Sequence, residues 1–271
     1  MPERRQPASQ PDPLPRTATE SRRNVFAGRR RVYLFGDINA EKAEKVVDRI
    51  HWVALGKLGR LIKAFKQDGV RQAVMVGGVK KTHLFSDVRP DLRSLALLRR
   101  VSVRKDDSLL RAIASELEDE GIRIRESTFG LDGLLVEEGT LTRRAPTKRE
   151  WRDIEFGWEM AGAVGHLDIG QCVVVKDRVV VAVEAVEGTD EAVRRGGKLA
   201  RSGAVVVKRF KPQQDRRFDL PAIGPGTIRA MADCGAAVLA IEAGRAVFLD
   251  RKEAITEADE AGIAIVGVAR P

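Results

Sequence analysis

Between Cys172 and Val268 the sequence returns again and again to a short run of valine, alanine, leucine and isoleucine, each set off by turn or helix signals. CVVVK (172–176), VVVAVEA (179–185), AVVVKRF (204–210), AAVLAIEA (236–243), AVFLD (246–250) and IAIVGV (263–268) are too short for helices. Most lack the polar alternation of a half-exposed strand, so they read as strands covered on both faces. TDEAVRRGGKLARSG (189–203), a segment near 225–234 and one at 253–261 read as the helices between them. Strands alternating with helices imply a largely parallel sheet with helices on its faces, and hence an α/β fold.

The same alternation runs more faintly before residue 166. RVYLFGD (31–37) and HWVAL (51–55) read as strands, with 40–50 a helix or irregular connection. In 57–69, Leu58, Leu61, Ile62 and Phe65 keep helical spacing and Gly69 ends the run. RQAVMVGGV (71–79) is a strand closing on a Gly pair. Residues 106–121 form a helix capped by Asp106 or Asp107 and ended by Gly121, and IRIRES (122–127) is a further strand. Residues 128–150 read as loop, then a helix spans about 147–165. The expected organisation is two α/β domains behind a head. These are an Arg/Pro-rich disordered head (1–30), an N-terminal Rossmann-like parallel sheet with a linker helix (31–166), and a C-terminal mixed α/β domain (167–271).

Composition excludes several function classes. The net charge is +9, but the first 31 residues hold eight Arg against three acids, with five of the 11 prolines. The basic excess is thus mostly in a segment that cannot build a core. With no recognition motif interleaved with aromatics, nucleic acid is not an expected partner. No run of 18 apolar residues is present, so no transmembrane helix is expected. Cys172 and Cys234 lack metal-site spacing, and His51, His83 and His166 do not cluster, which disfavours zinc, disulfide and His-based chemistry.

Three places suit phosphate. Gly77-Gly78 ends a strand, where backbone N–H groups approach a ligand, although an ordinary tight turn would look the same. Glu187-Gly188-Thr189-Asp190 opens a helix, whose N-terminus favours anions, with Thr189 and Asp190 as its caps in the simpler reading. The third, KRFKPQQDRRFDLPAIGPG (208–226), carries Asp215 and Asp219 among Lys208, Arg209, Lys211, Arg216 and Arg217. Two aspartates could hold Mg²⁺, which takes oxygen ligands. The cations, arginine in bidentate fashion, could offset phosphate charge. Pro225-Gly226 would begin another helix there. Together these parts suit attack of a positioned water on a phosphorus. A solvated loop of internal salt bridges is the alternative. Neither GxGxxG nor a Walker sequence is present.

With LGKLGRLIKAFKQDGV, AVMVGGV, SDVRPDLRSL, LTRRAP, DIGQCVVV, AVEAVEGTD, KPQQDRRFDLPAIGP and AVLAIEAGRAVFLDR in this order, residues 51–268 resemble the UDP-2,3-diacylglucosamine diphosphatases of the LpxI type, enzymes of lipid A biosynthesis. The resemblance implies substrate held between two α/β domains. It also implies Mg²⁺-dependent hydrolysis to UMP and 2,3-diacylglucosamine 1-phosphate. The catalytic, metal-holding Asp maps to Asp215 or Asp219, with Asp215 placed first. Substrate contacts map to Gly77, Gly78, Glu187, Gly188, Thr189 and Asp190, and the loop residues Lys208, Lys211, Gln214, Arg216 and Arg217 are counted with them. A UDP-lipid substrate, peripheral contact at the inner face of the cytoplasmic membrane and a homodimer are the expected associations. One departure stands out: a strand with a Gly-rich GGGxLP-type loop opens the family pattern, and residues 1–30 contain neither. An altered start or frame accounts for this, or else a real loss, and with a real loss the alternative reading is a non-catalytic nucleotide-phosphate-binding α/β protein that keeps the fold.

Overall fold

The structure, a computed structural model, describes residues 31–34, 48–54, 56–75, 89–100, 106–130, 132–218 and 220–269. The chain falls into two units, Met1–Trp52 and Val53–Pro271. In the first, strands β1 (Arg31–Leu34) and β2 (Arg49–Trp52) pair in parallel, Val32 opposite Ile50.

The second unit begins with helix α1 (Leu58–Gln67), which buries the predicted Leu58, Leu61, Ile62 and Phe65. Strand β3 (Gln72–Val74) pairs in parallel with β4 (Arg123–Arg125), and helices α2 (Leu92–Arg100) and α3 (Asp106–Asp119) lie between them in sequence. Asp91 ties the group together by accepting from the backbone N–H groups of Gly59 and Ser94, both at 2.8 Å. Gly77 and Gly78 fall outside the described residues.

A six-stranded sheet dominates the remainder. Its strands are β5 (Gly139–Thr140), β6 (Cys172–Lys176), β7 (Val179–Val183), β8 (Ala204–Lys208), β10 (Ala236–Glu242) and β12 (Ala264–Val268), in the order β5-β12-β10-β8-β6-β7. Strands β8, β10 and β12 are parallel, while β6 runs against both β7 and β8. A separate two-strand pair joins β9 (Ala222–Ile223) to β11 (Val247–Phe248). The crossovers are α5 (Thr189–Ala200), α6 (Pro225–Asp233) and α7 (Arg251–Glu260). The carboxyl ends of β7, β8 and β10 therefore meet the N-termini of α5 and α6 on one edge, the usual ligand edge of such sheets.

The unbroken valine runs have their explanation in two clusters. Cys172, Val174, Val206, Leu239 and Ile265 face Val193, Ile228, Met231 and Ala258 of the crossover helices. Val173, Val175, Val205, Val207 and Val266 face the other way, onto Ile154, Trp158 and Ala161 of α4 (Lys148–His166). Helix α4 carries a full capping box, Thr147 and Glu150 each bonding the other's backbone N–H. Its Asp153 accepts from the N–H groups of Asp177 (3.0 Å) and Arg178 (2.7 Å). Those two residues both have positive φ (53° and 58°), so the β6–β7 turn is of the primed kind and the buried carboxylate satisfies its donors.

Two expectations need adjustment. Thr189 does not cap α5; Gly188 does, with φ 86° and no side-chain cap. Strand β7 stops at Val183, and β8 stops at Lys208 rather than running on to Phe210.

Candidate active site

An open hollow of about 370 Å³ lies on the ligand edge, lined by Glu187, Gly188, Thr189, Asp190, Glu191, Lys208, Ala222 and Thr227. The Glu187–Asp190 segment and Lys208, picked from sequence for separate reasons, thus share one wall. The start of α6 supplies Thr227, which the sequence reading did not nominate. Both helices begin on a glycine, Gly188 and Gly224, so neither N-cap residue has a side chain to bond the first-turn N–H groups.

Lys208 is the centre of this wall. It ends the all-buried β8 and is only 4% exposed. Its ammonium donates to Thr189 Oγ1 and to the Ala222 carbonyl, both at 2.9 Å. Thr189 in turn donates to Glu184 Oε1 at 2.8 Å. An ammonium has three N–H donors. Among the described residues the third has no acceptor, and no carboxylate touches this buried cation. The acids of the hollow are turned to other tasks. Backbone donors at Glu187 itself, followed by Arg195 (2.6 Å), hold the Glu187 carboxyl below the ordinary value. Glu191 meets Arg194 (2.6 Å), and Asp190 accepts from Thr227 (3.2 Å).

The charged loop follows directly from Lys208, and most of its charges are already matched. Asp215 accepts from the Arg217 backbone N–H (3.0 Å), Nε (3.1 Å) and a terminal amine (2.9 Å). Arg217 accordingly holds the Asp215 carboxyl below its usual value, against the opposing pull of burial. Arg217 also reaches Glu118 (3.1 Å), Arg216 lies 3.3 Å from Glu126, and Lys211 donates to Asp168 (2.8 Å). Gln214, itself buried, closes a turn on Lys211 (3.0 and 3.2 Å). Arg111 donates to the Gln213 carbonyl (2.6 Å), and Ser127 N–H to that of Arg216 (3.1 Å). The density of opposed charge therefore staples the loop onto α3 and the segment after β4. Asp219 lies outside the described residues.

A Mg²⁺ site was expected from Asp215 and Asp219. Among the described residues no group of three or more His, Cys, Asp or Glu side chains is placed to hold a metal ion, and Arg217 takes up the Asp215 oxygens. The described side chains do not form a dedicated Mg²⁺ cage. No described helix is long and apolar enough to cross a membrane.

Comparison with known sequences now bears on this arrangement. The LpxI N-terminal domain pattern matches residues 14–134 and the LpxI C-terminal domain pattern residues 137–266. The chain belongs to the LpxI family. A UDP-2,3-diacylglucosamine pyrophosphatase LpxI of Caulobacter vibrioides is 37% identical over 227 residues, 80% of this chain and 81% of that protein. The bifunctional purine biosynthesis protein PurH of Bacillus cytotoxicus is 24% identical over 246 residues, but these make up only 40% of its length. The match to the LpxI N-terminal pattern begins inside the Arg/Pro-rich head. The join between the two patterns falls just before β5, so α4, counted from sequence with the first domain, lies within the C-terminal pattern and packs on its sheet.

Proposed function

We propose that this chain hydrolyses the diphosphate of UDP-2,3-diacylglucosamine, releasing UMP and 2,3-diacylglucosamine 1-phosphate, in lipid A biosynthesis. The observation that carries the reading is the wall of the hollow. A buried ammonium with a spare donor and two helix starts without a side-chain N-cap converge there, in a chain 37% identical over 227 residues to an LpxI pyrophosphatase. Such a wall suits a phosphate group more than an apolar ligand.

In this reading Lys208, the Gly188 and Thr189 backbone and the α6 start bind one phosphate, while Thr189, fixed by Glu184, orients Lys208. Gly77 and Gly78 are counted as substrate contacts in the same proposal. Of the two loop acids, Asp215 already carries Arg217 and acts as the staple that shapes the loop. Asp219 is then the acid left to orient the attacking water. Lys211, Arg216 and Arg217 act chiefly through loop shape, and Gln214 through its turn. Mg²⁺ is normally held by one or two carboxylates together with substrate phosphates. In this reading the ion would sit with the bound diphosphate. The division into two α/β domains, the homodimer and contact with the inner face of the cytoplasmic membrane belong to the same proposal.

The test is UMP release from UDP-2,3-diacylglucosamine by the full chain, with Mg²⁺ and with a chelator, for wild type, Asp215→Asn and Asp219→Asn. The expected order is wild type, then Asp215→Asn with partial activity, then Asp219→Asn with none. Full activity of Asp219→Asn would return Asp215 to the catalytic role. No release by the wild type removes the proposal.

A further inference from the structure

The carboxyl end of β10 holds a second buried charge group that the hollow does not use. Glu242 is 2% exposed. Its Oε2 accepts the N–H of Phe210, at the start of the charged loop, at 3.0 Å. Two guanidinium groups flank this one carboxylate: Arg209 Nε lies 4.0 Å from Oε2, and Arg245 Nε lies 3.6 Å from Oε1. The cluster is therefore one positive charge in excess.

The two arginines differ in what else they do. Arg209 donates to the Trp158 carbonyl (2.6 Å) and stacks on the Trp158 ring at 4.6 Å, as part of the floor of the sheet. Arg245 stacks over the Phe210 ring at 5.4 Å, and its side chain is 33% exposed. Among the described residues nothing accepts from its two terminal amines. It stands in the turn made by Gly244 (φ 67°), three residues beyond Glu242, on the edge where Lys208 ends its strand. An ordinary solvated arginine is free to swing. This one has an aromatic ring over one face and is paired with a buried carboxylate 3.6 Å from its Nε, with its fork left open. A planar fork fixed in this way matches two oxygens of one phosphate.

We propose that Arg245 is a substrate-binding residue that grips a phosphate of the diphosphate, and that Glu242 is its positioning residue. The same carboxylate fixes the loop through Phe210 N–H, so loop shape and arginine placement are set together. This rests on the reading of the chain as a diphosphate hydrolase.

The experiment measures UDP binding by calorimetry and lipid-substrate hydrolysis for the full chain, for Arg245→Gln, Arg245→Lys and Glu242→Gln. Arg245→Gln should weaken UDP binding about tenfold, the effect of one lost charge-assisted contact. It should raise KM more than it lowers kcat and melt with the wild type. Arg245→Lys should recover part of the loss. Glu242→Gln keeps an acceptor for Phe210 but frees Arg245, so it should weaken UDP binding by a smaller factor. If Arg245→Gln binds UDP and turns over substrate as the wild type does, the assignment is overturned. If the wild type binds UDP in an Arg245-dependent way but hydrolyses nothing, the proposed activity falls and the binding assignment stands. If it hydrolyses without measurable UDP binding, the KM of Arg245→Gln decides. If it does neither, both fall.

Discussion

Replacing Lys208 by Met separates a ligand-binding ammonium from a structural strut. The side chain is buried, so the substitution acts in a low-dielectric setting. Two hydrogen bonds from a charged donor disappear, those to Thr189 and to the Ala222 carbonyl. Each is worth about 1.5–3 kcal/mol net, a loss of roughly 3–6 kcal/mol. Against this, an ammonium with no carboxylate in contact costs several kcal/mol to keep out of water, and Met removes that cost while filling much of the same volume. The terms nearly cancel, so Lys208→Met should unfold within about 2 kcal/mol of wild type. Binding should behave differently, because a phosphate loses a charged donor worth about 1.5–3 kcal/mol, roughly a tenfold to hundredfold loss of affinity. Urea unfolding and UDP calorimetry on the same preparation read both quantities. A large drop in stability with unchanged UDP affinity would refute the reasoning, because Lys208 would then be a strut.

Other expectations follow from the same geometry. Asp215 has a folded-state pKa below its unfolded value near ~3.9, so the folded chain binds fewer protons. Its contribution to stability is present above that pH and is lost as pH falls toward the folded value. Urea midpoints should therefore hold between about pH 5 and 8 on this account and drop below about 4, with a smaller drop in Asp215→Asn. At Gly196 an added Cβ would stand 2.6 Å from Val174 Cβ in the helix-to-sheet contact, so Gly196→Ala should cost about 1–3 kcal/mol in the same assay. Burial pushes the Cys172 thiol up to about 12, so thiol reagents at pH 8 should label it only as fast as the chain opens.

The C-terminal sheet was legible because burial on both faces writes itself into composition: in Cys172–Lys176 the first four residues are buried and apolar, and only the terminal lysine is partly exposed. Strands β9 and β11 were harder. Ala222–Ile223 within a proline-rich loop gave no strand signal, and only two residues of the expected AVFLD strand pair; elements this short have no period to detect. Residues of the hollow were visible as a helix start and as a loop cation, yet their meeting was not. The contact between Lys208 and Thr189 depends on a crossover that carries β7 past β6 to β8. The partners of the charged loop were invisible for a similar reason. Glu118 and Glu126 lie about ninety residues or more from Arg217 and Arg216, and nothing local distinguishes them from solvated helix and turn acids. Sequence spacing therefore showed that opposed charges were concentrated after β8, while the structure shows that most of them fasten the loop.

The most direct measurement is phosphorus NMR of UDP-2,3-diacylglucosamine incubated with the full-length protein and Mg²⁺. Cleavage within the diphosphate predicts loss of both diphosphate resonances and equal growth of two monophosphate signals, UMP and the sugar 1-phosphate. Persistence of the substrate, or growth of UDP from cleavage on the sugar side, would contradict it.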